Sequence, residues 1–127
     1  MKIIIDAMSG DNAPQEIVAG AVKAADELGV EIVLVGREKD VRACLASRAD
    51  QFEIINAEDV ITMEDDPSTA TRRKKDSSMA VALKLLSEGK GDAVVSAGST
   101  GALLTGATLT VGRIKGIRRA ALAPVLP

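Results

Sequence analysis

The stretch Asp92-Ala93-Val94-Val95-Ser96-Ala97-Gly98-Ser99-Thr100-Gly101-Ala102-Leu103-Leu104 decides the fold. Its start reads as a strand, its middle breaks into small and hydroxyl-bearing residues, and its end reads as an apolar helix. A strand that turns directly into a helix is half of a βαβ unit, the building block of a parallel sheet. The turn also gathers free backbone N–H groups and the positive end of a helix dipole at one point, which suits an anion, most often a phosphate. Gly98 can take φ > 0, and Gly101 lets a ligand come close to the first turn. Ser96, Ser99 and Thr100 add hydroxyl donors. Ser, Thr and Gly also serve as plain helix caps with no ligand present, so the local sequence leaves both readings open.

The same alternation runs outward from this turn. Lys2 to Asp6, Glu31 to Gly36 and Phe52 to Asn56 are short β-branched or apolar runs, as expected of buried parallel strands. A helix follows the first, with Asn12 as its cap, Gln15 three residues on and Pro14 in the first turn. Its apolar face is Ile17, Val18, Ala21, Val22, Ala25 and Leu28, and Gly29 stands where a C-terminal glycine belongs. Glu38 to Arg48 reads as a second helix through Val41, Cys44 and Leu45. Acidic Met63-Glu64-Asp65-Asp66-Pro67 and basic Arg72-Arg73-Lys74-Lys75-Asp76 then flank a loop or short mobile helix. Ser77 caps a helix with the face Met79, Ala82, Leu83 and Leu86, closed by Gly89. A strand (Asp92 to Ser96), a helix (Gly101 to about Val111) and a last apolar run (Ala120 to Val125) complete the order. Residues 1–127 therefore form a single α/β domain with right-handed crossovers, in which ligands sit at the carboxyl ends of strands. The chain ends in or just after a strand with no closing helix, so the expectation is that it is the N-terminal portion of a larger domain.

Composition excludes several kinds of chemistry. The 127 residues are 46% hydrophobic and 27% charged with a net charge of −2, as in ordinary soluble globular proteins. No apolar stretch has the length of a membrane span, and Asp6 interrupts the N-terminal apolar run, which argues against a signal peptide. The single cysteine, Cys44, forbids an internal disulfide and fits a reducing compartment, by default the cytoplasm. With no histidine, neither a Ser-His-Asp nor a Cys-His nucleophile system can be built, nor an imidazole metal site. Phe52 is the only aromatic residue, so a base-stacking platform is missing, and nucleic acid is disfavoured further by a pI of about 5.2. Neither G-x-G-x-x-G nor G-x-x-x-x-G-K-[ST] occurs, which weakens a nucleotide reading.

Backbone amides, hydroxyls, carboxylates, lysines and arginines remain. Asp6 and Asp11 fall at the carboxyl edge of the sheet, where a ligand would lie, although Asp6 could equally hold its own loop and Asn12 serve only as a cap. The run Arg72 to Lys75 is a solvated surface, a closure over an anionic substrate, or a contact for an acidic protein. Glu64, Asp65 and Asp66 could pair with it inside the loop. Arg113, Lys115, Arg118 and Arg119 offer the same choice. Cys44, Met8 and Met79 read as core fillers.

Asp6 to Pro14 (DAMSGDNAP), Arg72 to Met79 (RRKKDSSM), Ser96 to Leu104 (SAGSTGALL) and Gly112 to Ile117 (GRIKGI) occur in one order. Together they resemble the bacterial PlsX family of fatty acid/phospholipid synthesis proteins, over the whole chain but only the N-terminal part of the family. Ser9 replaces a usual glycine, Ser99 a usual asparagine, and Arg119-Ala120 stands where Arg-Pro is usual. The resemblance implies a Rossmann-like α/β/α sandwich, similar to phosphotransacetylases and the isocitrate dehydrogenase superfamily. It also implies that inorganic phosphate attacks the thioester of an acyl-(acyl carrier protein) to give acyl phosphate, which supplies a membrane glycerol-3-phosphate acyltransferase. A cytoplasmic homodimer with peripheral membrane association, and no cofactor or metal, belongs to the same picture. On this reading Ser96, Gly98, Ser99, Thr100 and Gly101 cradle phosphate, and Asp6 and Asn12 orient donors at the wall of the cleft. Arg73 and Lys75 shield charge or meet the acidic carrier protein. The alternatives are an inactive fragment or binding module of such an enzyme, and a phosphotransacetylase that uses acyl-CoA.

Overall fold

In the computed structural model, which describes residues 1–126, four strands form one parallel sheet. They are β1 (Lys2–Asp6), β2 (Glu31–Gly36), β3 (Glu53–Asn56) and β4 (Ala93–Val95), in the order β3-β2-β1-β4. The register sets Ile3 beside Ile32, Ile4 beside Val33 and Ile5 beside Leu34 on one side of β1. On its other side Ile3, Ile4 and Ile5 face Ala93, Val94 and Val95. Successive side chains of a strand point to opposite faces, so these apolar runs must be covered twice. Ile5, Ile32 and Leu34 pack with Val18 and Ala21 of α1 (Gln15–Leu28) and with Val41 and Leu45 of α2 (Glu38–Leu45). Ile4, Val33 and Val35 pack on the opposite face with Ala82. Ile4 and Leu34 are fully buried, and each such side chain contributes roughly 1.5–3 kcal/mol of transfer free energy. Lys2 ties the amino edge together: its Nζ lies 2.8 Å from Glu53 of β3 and 3.4 Å from Glu31 of β2, and its N–H donates to Asp92 at 2.7 Å. The Glu53 hydrogen bond, above all, raises the Lys2 pKa above its ordinary value.

Local signals place most boundaries. Gly29 ends α1 with φ 63° and donates its N–H to the Ala25 carbonyl at 3.0 Å. Three expectations need correction. Asn12 does not cap α1 with its side chain: Pro14 stands at the cap, and only the Asn12 carbonyl takes part, accepting the Glu16 N–H at 3.1 Å. The second helix stops at Leu45 because Ala46 takes φ 51°, and Ala46–Gln51 continues as a 3-10 helix. The run Ala120 to Val125 forms no strand. It pairs with no neighbour, and Pro124 could not donate to a ladder in any case. Leu122 and Val125 are exposed there. Leu28 is also exposed, beside an open apolar groove of about 480 Å³ that it shares with Ile3, Ile17, Ala24 and Val95. No helix among the described residues is long and apolar enough to cross a membrane.

The acidic and basic runs meet. Between β3 and the next long helix the chain makes one helical turn, α3 (Ala70–Arg73), followed by Lys74. The Lys74 ammonium reaches Asp65 at 2.8 Å and the Val60 carbonyl at 2.9 Å. Asp65 also accepts from the Thr62 N–H at 2.7 Å and its hydroxyl at 3.1 Å. The segment expected to be mobile is thus pinned at both ends. α4 (Ser78–Ser87) begins at Ser77, whose hydroxyl accepts the Ala80 N–H, and α5 (Thr100–Thr110) packs against α3 and α4. A Cβ on Gly106 of α5 would stand 2.6 Å from the Thr71 methyl and 2.8 Å from Leu83. Only a bare backbone fits there.

Two outcomes follow for stability. Gly106→Ala is expected to lower it by about 1–3 kcal/mol through overpacking, although alanine favours helix. Gly20→Ala, where nothing lies within 4 Å, should raise it by about 0.5–1 kcal/mol. Urea midpoints read both, and a gain at Gly106 would mean that α3 is not seated on α5. Lys74 holds the Asp65 carboxyl below its ordinary 3.8, ahead of the Thr62 N–H, and Asp65 in turn raises Lys74 above 10.5. The pair is therefore complete between those values, lost as pH falls through the lowered Asp65 pKa and lost again as it rises through the raised Lys74 pKa. Hydrogen-exchange protection factors for residues 60–74 should stay level from about pH 5 to 9 and fall only outside that window. Lys74→Met should lower them throughout; wild-type-like protection in that variant would show that the pair does not anchor the loop.

Candidate functional site

At the carboxyl ends of β1 and β4 the chain brings two loops into contact. Asp6, the last residue of β1, is completely buried, and a buried carboxyl group must find hydrogen-bond donors. Its Oδ2 accepts the Ser96 hydroxyl at 2.7 Å, and its Oδ1 lies 3.4 Å from the Met8 N–H. The Ser96 Oγ in turn accepts the Gly98 N–H at 3.2 Å. A chain of hydrogen bonds therefore runs from β1 through Ser96 into the turn before α5. Asp6 holds its own loop, one of the two readings its sequence position allowed, and ties that loop to the turn before α5.

Close packing completes the junction. A Cβ on Gly98 would lie 2.7 Å from the Ser9 Cβ and 2.9 Å from the Met79 Cε. Gly98 is needed for room, not for φ > 0, which falls instead to Gly10 at 117°. A Cβ on Gly101 would lie 2.9 Å from Pro67. Pro67, in the loop between β3 and α3, thus fills the space on the Cβ side of Gly101. The first turn of α5 is satisfied in part from within: the buried Ser99 hydroxyl accepts the Ala102 N–H at 3.3 Å, and the Ser99 carbonyl accepts that of Leu103 at 3.0 Å. Ser99 caps the helix. Thr100 is exposed, and among the described residues its N–H and that of Gly101 have no partner. Beside the turn, Ser9, Gly10, Asp11, Thr62, Met63 and Gly98 line a pocket of about 190 Å³.

The other sequence candidates lie apart from this junction. Asn12 is exposed and lines a shallow depression at the start of α1 with Asp11, Gln15 and Glu16. Lys75 and Arg72 line a groove of about 490 Å³ with Lys84, Leu109 and Thr110. That groove belongs to the far end of α5, and eleven residues of helix span roughly 15 Å. Arg73 stands near Asp66, whose carboxyl is held below its usual range first by the Ser68 hydroxyl, then by the Ser68 N–H and, more weakly, by Arg73. Cys44 is half-buried against the core, and Met8 and Met79 are core residues, as their surroundings in sequence suggested. Ser9 and Pro67 had no motif to announce them. Both matter because a glycine distant in sequence leaves them space.

The sequence matches known proteins along its whole length. A family model described as "Fatty acid synthesis protein" matches residues 1–127. A phosphate acyltransferase of Clostridium botulinum is 50% identical over 131 residues, covering 100% of this chain and 39% of that protein. One from Heliobacterium modesticaldum is 48% identical, again covering 39% of its length, and one from Thermoanaerobacter pseudethanolicus is 50% identical over 128 residues and 38% of its length. The chain spans about two fifths of the length of the curated relatives it matches. The family model's match to residues 1–127 and the 48–50% identity of these relatives along the whole chain lead to one assignment: the chain belongs to the fatty acid synthesis protein family.

Proposed function

We propose that this chain carries the phosphate-binding part of an enzyme that transfers a fatty acyl group from acyl-(acyl carrier protein) to inorganic phosphate, in both directions. The observation that carries this reading is the hydrogen-bonded junction Asp6–Ser96–Gly98 beside the open N–H groups of Thr100 and Gly101. Rigid donors at a helix start suit a doubly charged oxyanion. Phosphate is already partly a dianion near neutral pH, so the attacking group needs positioning more than deprotonation. An oxygen of hydrogen phosphate attacks the thioester carbonyl carbon, the C–S bond breaks, and the departing thiolate takes the proton that the phosphate carried. Acyl phosphate and the free carrier-protein thiol are the products, and the former is the acyl donor for a glycerol-3-phosphate acyltransferase. Histidine has no necessary part.

Roles follow from position. Ser96 and Gly98 hold the turn in shape through Asp6, and Thr100 and Gly101 supply donors to phosphate. Ser99 acts through the helix cap. We assign Lys75 and Arg72, which line the groove at the other end of α5, to contact with the carrier protein and not to shielding the phosphate. Asn12, exposed at the start of α1, supports its loop through its carbonyl.

Acyl phosphate trapped as a hydroxamate tests the reaction, with carrier-protein and CoA thioesters as rival donors, in protein extended to the length of its relatives. Product from the carrier-protein donor is expected; product from CoA alone would indicate a phosphotransacetylase, and none from either would overturn the proposal. Thr100→Ala with Ser99→Ala should raise the phosphate KM about tenfold, one lost charge-assisted hydrogen bond. Ser99→Ala alone should chiefly cost about 1 kcal/mol of stability through the lost cap. An unchanged phosphate KM in the double variant would remove the turn from the site.

A further inference from the structure

Ser9 is 2% exposed, and its hydroxyl has no hydrogen-bond partner. A buried hydroxyl left unpaired destabilises the folded state, and native structures contain few of them. Packing does not explain its presence, because alanine would fill the same space without the polar atom. The polar groups of the junction are engaged with one another: Ser96 bonds Asp6 and Gly98, and Asp6 accepts Ser96 and Met8. Thr69 and Ser78 also carry unpaired buried hydroxyls, but of the three only Ser9 belongs to the wall of the pocket at the carboxyl edge. That pocket, about 190 Å³, opens between the loop after β1 and the loop before α3 and touches Gly98 at the head of the α5 turn. A space of this size admits a tetrahedral oxyanion.

We propose that Ser9 is a phosphate-binding residue whose hydroxyl waits unpaired in the free protein and donates to a phosphate oxygen in this pocket. The inference rests on the reading that phosphate binds at the α5 turn and adds a contact from β1's loop to that site. It makes the stability of the free protein and its affinity for phosphate move in opposite directions when the hydroxyl is removed, a trade expected where a polar group is kept for function.

The test compares the wild type with Ser9→Ala by thermal unfolding in inorganic phosphate against sodium chloride of equal ionic strength. The free variant should melt at or above the wild-type temperature, while its phosphate affinity, read from the concentration dependence of the midpoint, falls about tenfold or more. Ser9→Gly, which also fits beside Gly98, should show the same loss of affinity if the alanine variant does not fold. Unchanged affinity in the variants, with the wild type still responding to phosphate, would overturn the role of Ser9 and leave the turn as the binding site. No response to phosphate in the wild type would overturn both.

Discussion

The hydrogen bond from Ser96 to the buried Asp6 carboxyl group is the constraint on which the carboxyl edge depends. It joins residues ninety positions apart and crosses from the central strand to its neighbour. Without it a carboxyl group with no access to water would have only a long amide contact, a costly arrangement in a low-dielectric interior. The strand ends, the loop after β1 and the start of α5 are consequently fixed as one unit. Small residues at the junction follow from that fixation. Gly10 approaches Ala97, Gly98 approaches Ser9 and Met79, and Gly101 approaches Pro67.

This arrangement divides the work of the glycine-rich turn between its residues. Ser96 and Ser99 use their hydroxyls inward, one for the buried carboxyl group and one for the helix cap. Thr100 and Gly101 keep N–H groups that have no partner among the described residues. Capping by Ser99 is therefore compatible with the proposed phosphate contact, because it engages the Ala102 amide and leaves the preceding pair of first-turn amides without a partner among the described residues.

Strand runs such as Lys2 to Asp6 and Glu31 to Gly36 could be read directly because both of their faces are buried and every position is apolar or terminal. The Ser77 and Gly29 caps were legible for a similar reason, since each works through its own backbone neighbours. Asn12 misled because Pro14, two residues on, took the cap position. The end of α2 was hidden in a single dihedral at Ala46. At the site, residue types signalled the turn and Asp6, but the partners that give them meaning lie far away in sequence: Ser9 for Gly98, Pro67 for Gly101, Thr71 for Gly106. The acidic and basic runs suggested pairing without saying that Lys74 alone would reach Asp65 and leave Arg72 and Lys75 for another groove.

The sheet order carries a consequence for how the molecule is assembled. Ile3 meets Ile32 after 29 residues of chain but meets Ala93 only after 90, a difference of about 1 kcal/mol in loop-closure entropy. On a ribosome the chain emerges from its amino end, and β1, β2 and β3 can pair while β4 has yet to be made. The strand that brings Ser96 to Asp6 is then the last to arrive, and the buried carboxyl group waits beside an open edge until it does. The junction is thus completed by the longest-range pairing among the described strands, and a nascent chain halted before β4 would hold the scaffold without the turn that meets Asp6.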